Sequence, residues 1–494
     1  MNGVVFVRPQ VASSRRPAQH LRRQVARGGA WTALAWLATV LTGPAITVAM
    51  VRNLDPSEYG SLALGLSVAG FLAIVSAFGF EQAVAQQSSA ALSIDGEAPS
   101  AVAASARRLG LITAAISLPL VVLVAAALHA SSGTQRTATV IAALAPFVAL
   151  APLKAVLTGQ LRAAQRASAL SVTVVVASVV SGLWIVVALV SHAAVPVIAL
   201  ASSVEAALIV LGLRMLLGRP VGAVNTEMSR VLLRYGGLTL LTGLFGVAIS
   251  DLDVVILGLI HGNSDVAAYA PASQITNGML GIPPILGVFF LPSIARVAAD
   301  GDVQAAGRLY HWASRWSFVL CSPALAITIV CPHELLNVLF GVESPHEATA
   351  LRVLGVGVAA QTAFGFNGLT LDGFGLPGVV ALRQVASLAV SCVLCAALIP
   401  PLGPVGAAIA TSGALTIANV LCSLSLWRRY RIPVWDRPFA LVIINFTCAL
   451  VIATIVRSHA PSVSAWWTCG MVAGASGLVA LGSAVLLERM TADD

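Results

Sequence analysis

Long apolar runs recur along this chain, and they recur at one length. Bounded by Gly, Pro or charged residues, they cover about 28–51, 59–80, 108–130, 137–159, 169–191, 194–217 and 235–260 in the first part of the sequence. They continue at about 267–291, 316–339, 350–373, 378–400, 403–427, 438–456 and 464–487. Each is near the roughly 20 residues with which an α-helix crosses a hydrocarbon core. A backbone in lipid must satisfy its own hydrogen bonds, so runs of this length fold as helices; a barrel would show alternating segments of about ten residues. The expected fold class is all-α, a polytopic membrane protein with about 14 transmembrane helices. Composition agrees. Of 494 residues, 58% are hydrophobic and 10% are charged, against roughly 25% charged in a soluble domain. Too little polar surface exists for a soluble enzyme, a nucleic-acid-binding domain or a disordered scaffold.

The net charge of +8 is a matter of sidedness. With the N-terminus placed inside, 24 of the 28 Lys and Arg residues fall on one side of the membrane. Only Arg52, Arg136, Arg352 and Arg457 fall on the other. That asymmetry orients the chain with both termini cytoplasmic and favours an even number of helices. The basic face then meets anionic lipid headgroups, and no nucleic-acid partner is expected. The basic N-terminus reads as a retained cytoplasmic tail, because the apolar run after it is longer than the roughly 7–15 residues of a signal-peptide core. Two cytoplasmic segments are long. Segment 292–315 mixes Arg296, Arg308, Trp312 and Arg315 with Ile294, Val297 and Leu309, and reads as an amphipathic helix on the inner interface. Segment 81–107 reads equally as such a helix or as a solvated linker.

The chain also repeats. Gly28-Gly29 opens span 1, and the following loop leads to Tyr59-Gly60; Gly236-Gly237 opens span 7, and its loop leads to Tyr269-Ala270. Six spans separate the copies, so both have one orientation, as in transporters built from parallel halves. The expected organisation is two pseudo-symmetric six-helix lobes plus a C-terminal helix pair. Its boundaries are a basic tail 1–27, an N-lobe 28–217, a linker 218–234, a C-lobe 235–427, a basic loop 428–437, the extra pair 438–487 and a tail 488–494. Two similar bundles leave a seam in which a substrate can bind while the bundles rock. Helix breaks are expected at Gly43-Pro44 and at Pro283-Pro284.

Motifs for chemistry are missing. No H-E-x-x-H, P-loop or G-x-S-x-G is evident, and the loops are too short for a catalytic domain. The chain is therefore not expected to be an enzyme, and no cofactor or metal is expected. Without a Walker sequence, an ion gradient or the substrate's own gradient must drive transport. Cys392 and Cys395 form a C-x-x-C inside an apolar helix, which reads as packing rather than redox chemistry.

Several segments in fixed order are similar to one known family. Val51-Arg52-Asn53-Leu54-Asp55-Pro56-Ser57-Glu58-Tyr59-Gly60 resembles the opening signature of bacterial oligosaccharide flippases. These are the polysaccharide-exporter branch of the multidrug/oligosaccharidyl-lipid/polysaccharide superfamily. Asp251-Leu-Asp253-Val-Val-Ile-Leu-Gly258 with Tyr269, and Leu291-Pro292-Ser293-Ile-Ala-Arg296, agree with it. So do Cys331-Pro332 to Gly341 with Leu351-Arg352, and Gly403-Pro-Val-Gly406 to Thr411. The resemblance covers about 25–430. It implies a two-lobed transporter with a central cavity in the bacterial cytoplasmic membrane. It also implies a substrate, undecaprenyl-pyrophosphate-linked oligosaccharide (an O-antigen or exopolysaccharide precursor), moved to the outer leaflet by alternating access. Expected partners are the lipid-linked oligosaccharide, membrane lipids and, as a candidate, a polysaccharide polymerase. The alternatives are an ion-coupled multidrug or small-metabolite exporter of the same superfamily and, from another class, a membrane glycosyltransferase or ligase.

Ionisable groups in the bilayer are costly and mark candidate sites. Asp251 and Asp253 of span 7 and Glu205 of span 6 are candidates for proton or sodium coupling; for Glu205 the favoured alternative is a protonated, hydrogen-bonded structural carboxyl. Two positions apart on a helix, Asp251 and Asp253 point in different directions. The resemblance favours Asp253 as the cavity-facing one, with pairing to a neighbouring helix as the alternative. Arg52 and Arg352 are candidates to meet a pyrophosphate, since Arg offers a bidentate fork; for Arg52 the alternative is a salt bridge to Asp55 or Glu58. Gln274 and Asn277 are candidates to hydrogen-bond sugars. Spans 1, 2 and 8 hold no cationic cluster, which departs from the lipid II flippases.

Overall fold

A computed structural model describes residues 43–94, 98–130, 135–164, 166–218, 222–281, 283–341, 345–459 and 465–492. Among them the first helices are α1 (43–53), α2 (Pro56–Ala77), α3 (Phe80–Ile94), α4 (Ala98–Ala130) and α5 (Gln135–Ala143). Then come α6 (Ala145–Ala163), α7 (Ala167–Val190), α8 (Val195–Leu217), α9 (Thr226–His261) and α10 (Asn263–Leu280). Next are α11 (Pro283–Ala299), α12 (Val303–Val330), α13 (Pro332–Phe340), α14 (Pro345–Phe364) and α15 (Asn367–Gly373). The series ends with α16 (Pro377–Tyr430), α17 (Arg437–His459) and α18 (Ala465–Ala492). The described residues form no strand. Among the described residues, eight helices are long and apolar enough to cross a membrane, or nine if the α5–α6 pair, bent by 41°, is one span. The basic tail 1–27, Gly28-Gly29 and the start of span 1 lie outside the described residues.

Helices α2–α8 pack on one another as one lobe, and α9–α16 pack as a second; α17 and α18 lie together against α12. Several breaks have local causes. Pro332 has no N–H and disfavours helix at Cys331, so α12 stops there and α13 starts afresh. The apolar run 316–339 is therefore two helices rather than one span. Gly403, at φ 54° and ψ −128°, breaks α16 into two halves beside Pro400, Pro401 and Pro404. The expected break at Pro283-Pro284 is present, where α10 ends and α11 begins. Gly43-Pro44 lies at the very start of the described part of α1.

Segment 292–315 is not a separate interfacial helix. It is the end of α11, a turn at Gly301 with φ +73°, and the start of α12. Asp302 caps α12 by accepting from Ala305 N at 2.8 Å. Tyr310, in the middle of the segment, is fully buried and donates to Phe364 O at 2.7 Å. The segment's packed face carries Ile294, Tyr310 and Ala313, and its other face leaves Arg296, Arg308 and Trp312 exposed. Segment 81–107 is likewise helical where described, as α3 and the start of α4; residues 95–97 lie outside the described residues.

Candidate functional site: a cavity between the lobes

The two lobes meet at two levels. At the end with the α1–α2 turn, α2 and α10 cross backbone to backbone. A Cβ on Gly60 would lie 1.8 Å from Asn263 O, so only glycine allows this approach. Thr137 Oγ1 donates to Asn263 Oδ1 at 3.1 Å across the same junction. At the opposite end, Phe78 and Gly79 both have positive φ, at 49° and 65°. That kink brings Gly79 O to Thr239 Oγ1 of α9, which donates to it at 3.1 Å.

Between these junctions lies a cavity of about 290 Å³. Its walls are Ile46, Thr47 and Met50 of α1, Tyr59, Leu62, Leu66 and Ser67 of α2, Asp251 and Val254 of α9, and Ala270, Ser273 and Gln274 of α10. Each lobe thus gives its first two spans, the copies related by the sequence repeat. The wall is mostly apolar, with one carboxylate and several neutral hydrogen-bonding groups. Ser67 of the first lobe stands beside that carboxylate. No Lys or Arg is among the lining residues.

The acids divide differently from the expectation. Asp251 lines the cavity, whereas Asp253 is buried within the second lobe, 2% exposed. Asp253 Oδ2 accepts from Tyr269 Oη of α10 and from Thr411 Oγ1 of α16, the latter at 2.5 Å. Oδ1 accepts from Val254 N at 2.8 Å. These bonds tie α9, α10 and α16 together without a cationic partner. Two residues along a helix is about 200° of rotation, so once Asp253 faces the lobe interior, Asp251 faces the seam. Glu205 also has a structural partner: Ser178 of α7 donates to its Oε1 at 2.7 Å.

The arginines serve helix ends. Arg52 donates from Nε to Leu339 O at 2.8 Å and from Nη2 to Val338 O at 2.6 Å. These are free carbonyls at the C-terminus of α13, where a cation is favoured. Asp55 and Glu58, its alternative partners, instead form a capping box at the start of α2. Arg352 donates to Ile329 O at 3.0 Å, at the end of α12. Neither arginine lines the cavity. Gln274 does, while Asn277 donates to Ser273 Oγ at 3.5 Å and supports the wall from behind. Tyr59, Ser67 and Ser273 were not singled out from the sequence. Tyr59 alone had a signal, as the repeat partner of Tyr269.

Residues 49–344 match a family model described as polysaccharide biosynthesis protein. The chain belongs to that family. A curated relative, the probable low-salt glycan biosynthesis flippase Agl15 of Haloferax volcanii, is 25% identical over 193 residues. That match covers 39% of this chain and 41% of the relative, so the chain matches about two fifths of the relative's length. The fold is similar to that of lipid II flippase MurJ in an inward closed conformation, with a TM-score of 0.71 at 12% identity. The likeness covers 93% of this chain and 99% of that one. It is also similar to an inward-facing multidrug resistance transporter of the MATE family, with a TM-score of 0.63 at 17% identity over 81% and 98% of the two chains. The expected two-lobed transporter fold is the one observed.

Proposed function

We propose that this protein moves a lipid-linked oligosaccharide from the inner to the outer leaflet of the bacterial cytoplasmic membrane by alternating access between its lobes. The cavity carries this reading. It lies at the seam and takes two helices from each lobe, so a rocking motion would open it to either side. Family membership and the flippase named among the relatives support the substrate class. The arginine distribution supports an orientation in which the α1–α2 end faces outside and both termini face the cytoplasm. In that orientation the outer ends of the lobes are closed on each other through Gly60, Asn263 and Arg52.

The polar wall suits sugar hydroxyls, with Tyr59, Ser67, Ser273 and Gln274 as hydrogen-bonding groups. The undecaprenyl-pyrophosphate carrier follows from the resemblance of the signatures, and its charge would be met away from these lining residues. Asp251 would take up a proton or sodium ion, because its carboxylate stands in the apolar wall of the moving seam. A polysaccharide polymerase would act on the delivered product. Depletion of the protein followed by leaflet-resolved analysis of lipid-linked sugars tests the proposal. Accumulation of one lipid-linked species on the inner leaflet is expected.

The same carboxylate favours a second reading, export of cationic amphiphilic compounds, in line with the MATE-like fold. Unchanged lipid-linked sugars together with altered drug efflux on depletion would replace the first reading by the second.

A further inference from the structure

The corner where α12 turns into α13 gathers groups from three parts of the chain. Cys331 sits between the two helices and is fully buried. Cys469 of α18 is 8% exposed and belongs to the same buried cluster, with Val330 and Val472. The two thiols lie next to each other in that cluster. The helix register agrees. Antiparallel α12 and α18 touch where a Cβ on Gly477 would lie 2.9 Å from Pro323 Cγ. Eight residues along from that contact in each helix, about 12 Å at 1.5 Å per residue, stand Cys331 and Cys469. Arg457 of α17 caps the corner. It pairs with Glu334 at 2.6 Å and donates to Val330 O.

We infer that Cys331 and Cys469 form a reversible disulfide at the outer end of the bundle, joining α18 to the α12–α13 corner. Thiols persist in a reducing cytoplasm, whereas the outer face of a cytoplasmic membrane meets oxidants. The arginine asymmetry places this corner on that face. The co-reactant is an external disulfide, R–S–S–R. A thiolate of the pair attacks one of its sulfurs and releases R–S⁻; the second cysteine then displaces the other R–S⁻. One S–S bond forms in the protein and one breaks in the oxidant. The pair loses two electrons and two protons, and the oxidant becomes two R–SH. Cys469 lies four residues from the start of α18, where opening of a helix end gives the oxidant access. The linked corner is the start of α13, whose far end receives Arg52 at Val338 O and Leu339 O, so the bond anchors the helix against which the first lobe closes.

The test uses the full chain in membrane vesicles of known sidedness, treated with oxidised glutathione, which does not cross the bilayer. In right-side-out vesicles, two of the seven cysteines should be lost to alkylation. Mass spectrometry should find one linked peptide pair, Cys331 with Cys469, reversed by dithiothreitol. Cys469→Ala and, separately, Cys331→Ser should each abolish the link; wild-type protein is its own control, so the test stands even if a variant folds poorly. Seven alkylated cysteines after treatment, a link between other cysteines, or oxidation only in inside-out vesicles would overturn the inference.

Discussion

The guanidinium of Arg52, in the first lobe, hydrogen-bonds Leu339 O and Val338 O in the second, 2.8 and 2.6 Å away. An arginine that the sequence offered as a phosphate ligand is thus a latch across the α1–α2 end of the seam. It uses the unpaired carbonyls that every helix C-terminus leaves. Arg352 and Arg457 bond the neighbouring end of α12, through Ile329 O and Val330 O. Three of the four arginines expected outside therefore bond the ends of α12 and α13.

Arg52→Ala should weaken closure at this end while leaving insertion intact. At an exposed site each charge-assisted bond contributes about 1 kcal/mol, so the closed-to-open ratio should fall roughly tenfold or more. Labelling of a cysteine introduced at Ser273, inside the cavity, reads this as faster modification from outside. Arg52→Lys, with one donor direction fewer, should fall between. An unchanged labelling rate would argue against the latch.

Gly60 permits the close crossing of α2 and α10. Gly60→Ala places a methyl against Asn263 O and Ala267 N, and backbone has no rotamer with which to yield. Overpacking of this kind costs about 1–3 kcal/mol. The expected outcome is a lower thermal midpoint and greater outward accessibility of the cavity. Gly70→Ala, where nothing lies within 4 Å of the added carbon, should change neither.

The two aspartates of α9 should separate in phenotype. Asp251→Asn should impair transport in a complementation assay with normal expression and thermal stability, since its side chain faces the cavity. Asp253→Asn should lower stability, because its single acceptor oxygen cannot serve both the two hydroxyls at Oδ2 and Val254 N at Oδ1; a disturbed buried hydrogen bond costs about 1–3 kcal/mol. Tyr269→Phe should reproduce part of that loss. Full activity of Asp251→Asn would remove the coupling role.

Glu205 is expected to be structural. Glu205→Gln keeps an acceptor for Ser178 and should leave transport near wild type. Glu205→Ala should cost about 1 kcal/mol of stability. A transport defect in Glu205→Gln at normal expression would instead return Glu205 to the coupling candidates.

Much of this molecule follows from one-dimensional pattern. Apolar runs of bilayer length demand helices, because lipid offers the backbone no hydrogen bonds. The spacing from paired glycines to Tyr59 and Tyr269 exposes the repeat, and the repeat implies a seam. Asp251 and Asp253 were legible as candidates because charge is rare in such a chain. Direction was not legible. Which aspartate meets the seam depends on the rotation of α9 about its axis, and that is decided by the hydroxyls of Tyr269 and Thr411, the second 158 residues away. The partners of Arg52 lie 286 and 287 residues off, on a short helix whose existence depends on the stop at Cys331-Pro332. The pairing of Cys331 with Cys469 depends on how α18 lies against α12. Local pattern determined the helices and their repetition; long-range packing decided which few polar groups share a space, since contacts between distant segments leave no periodicity in the sequence.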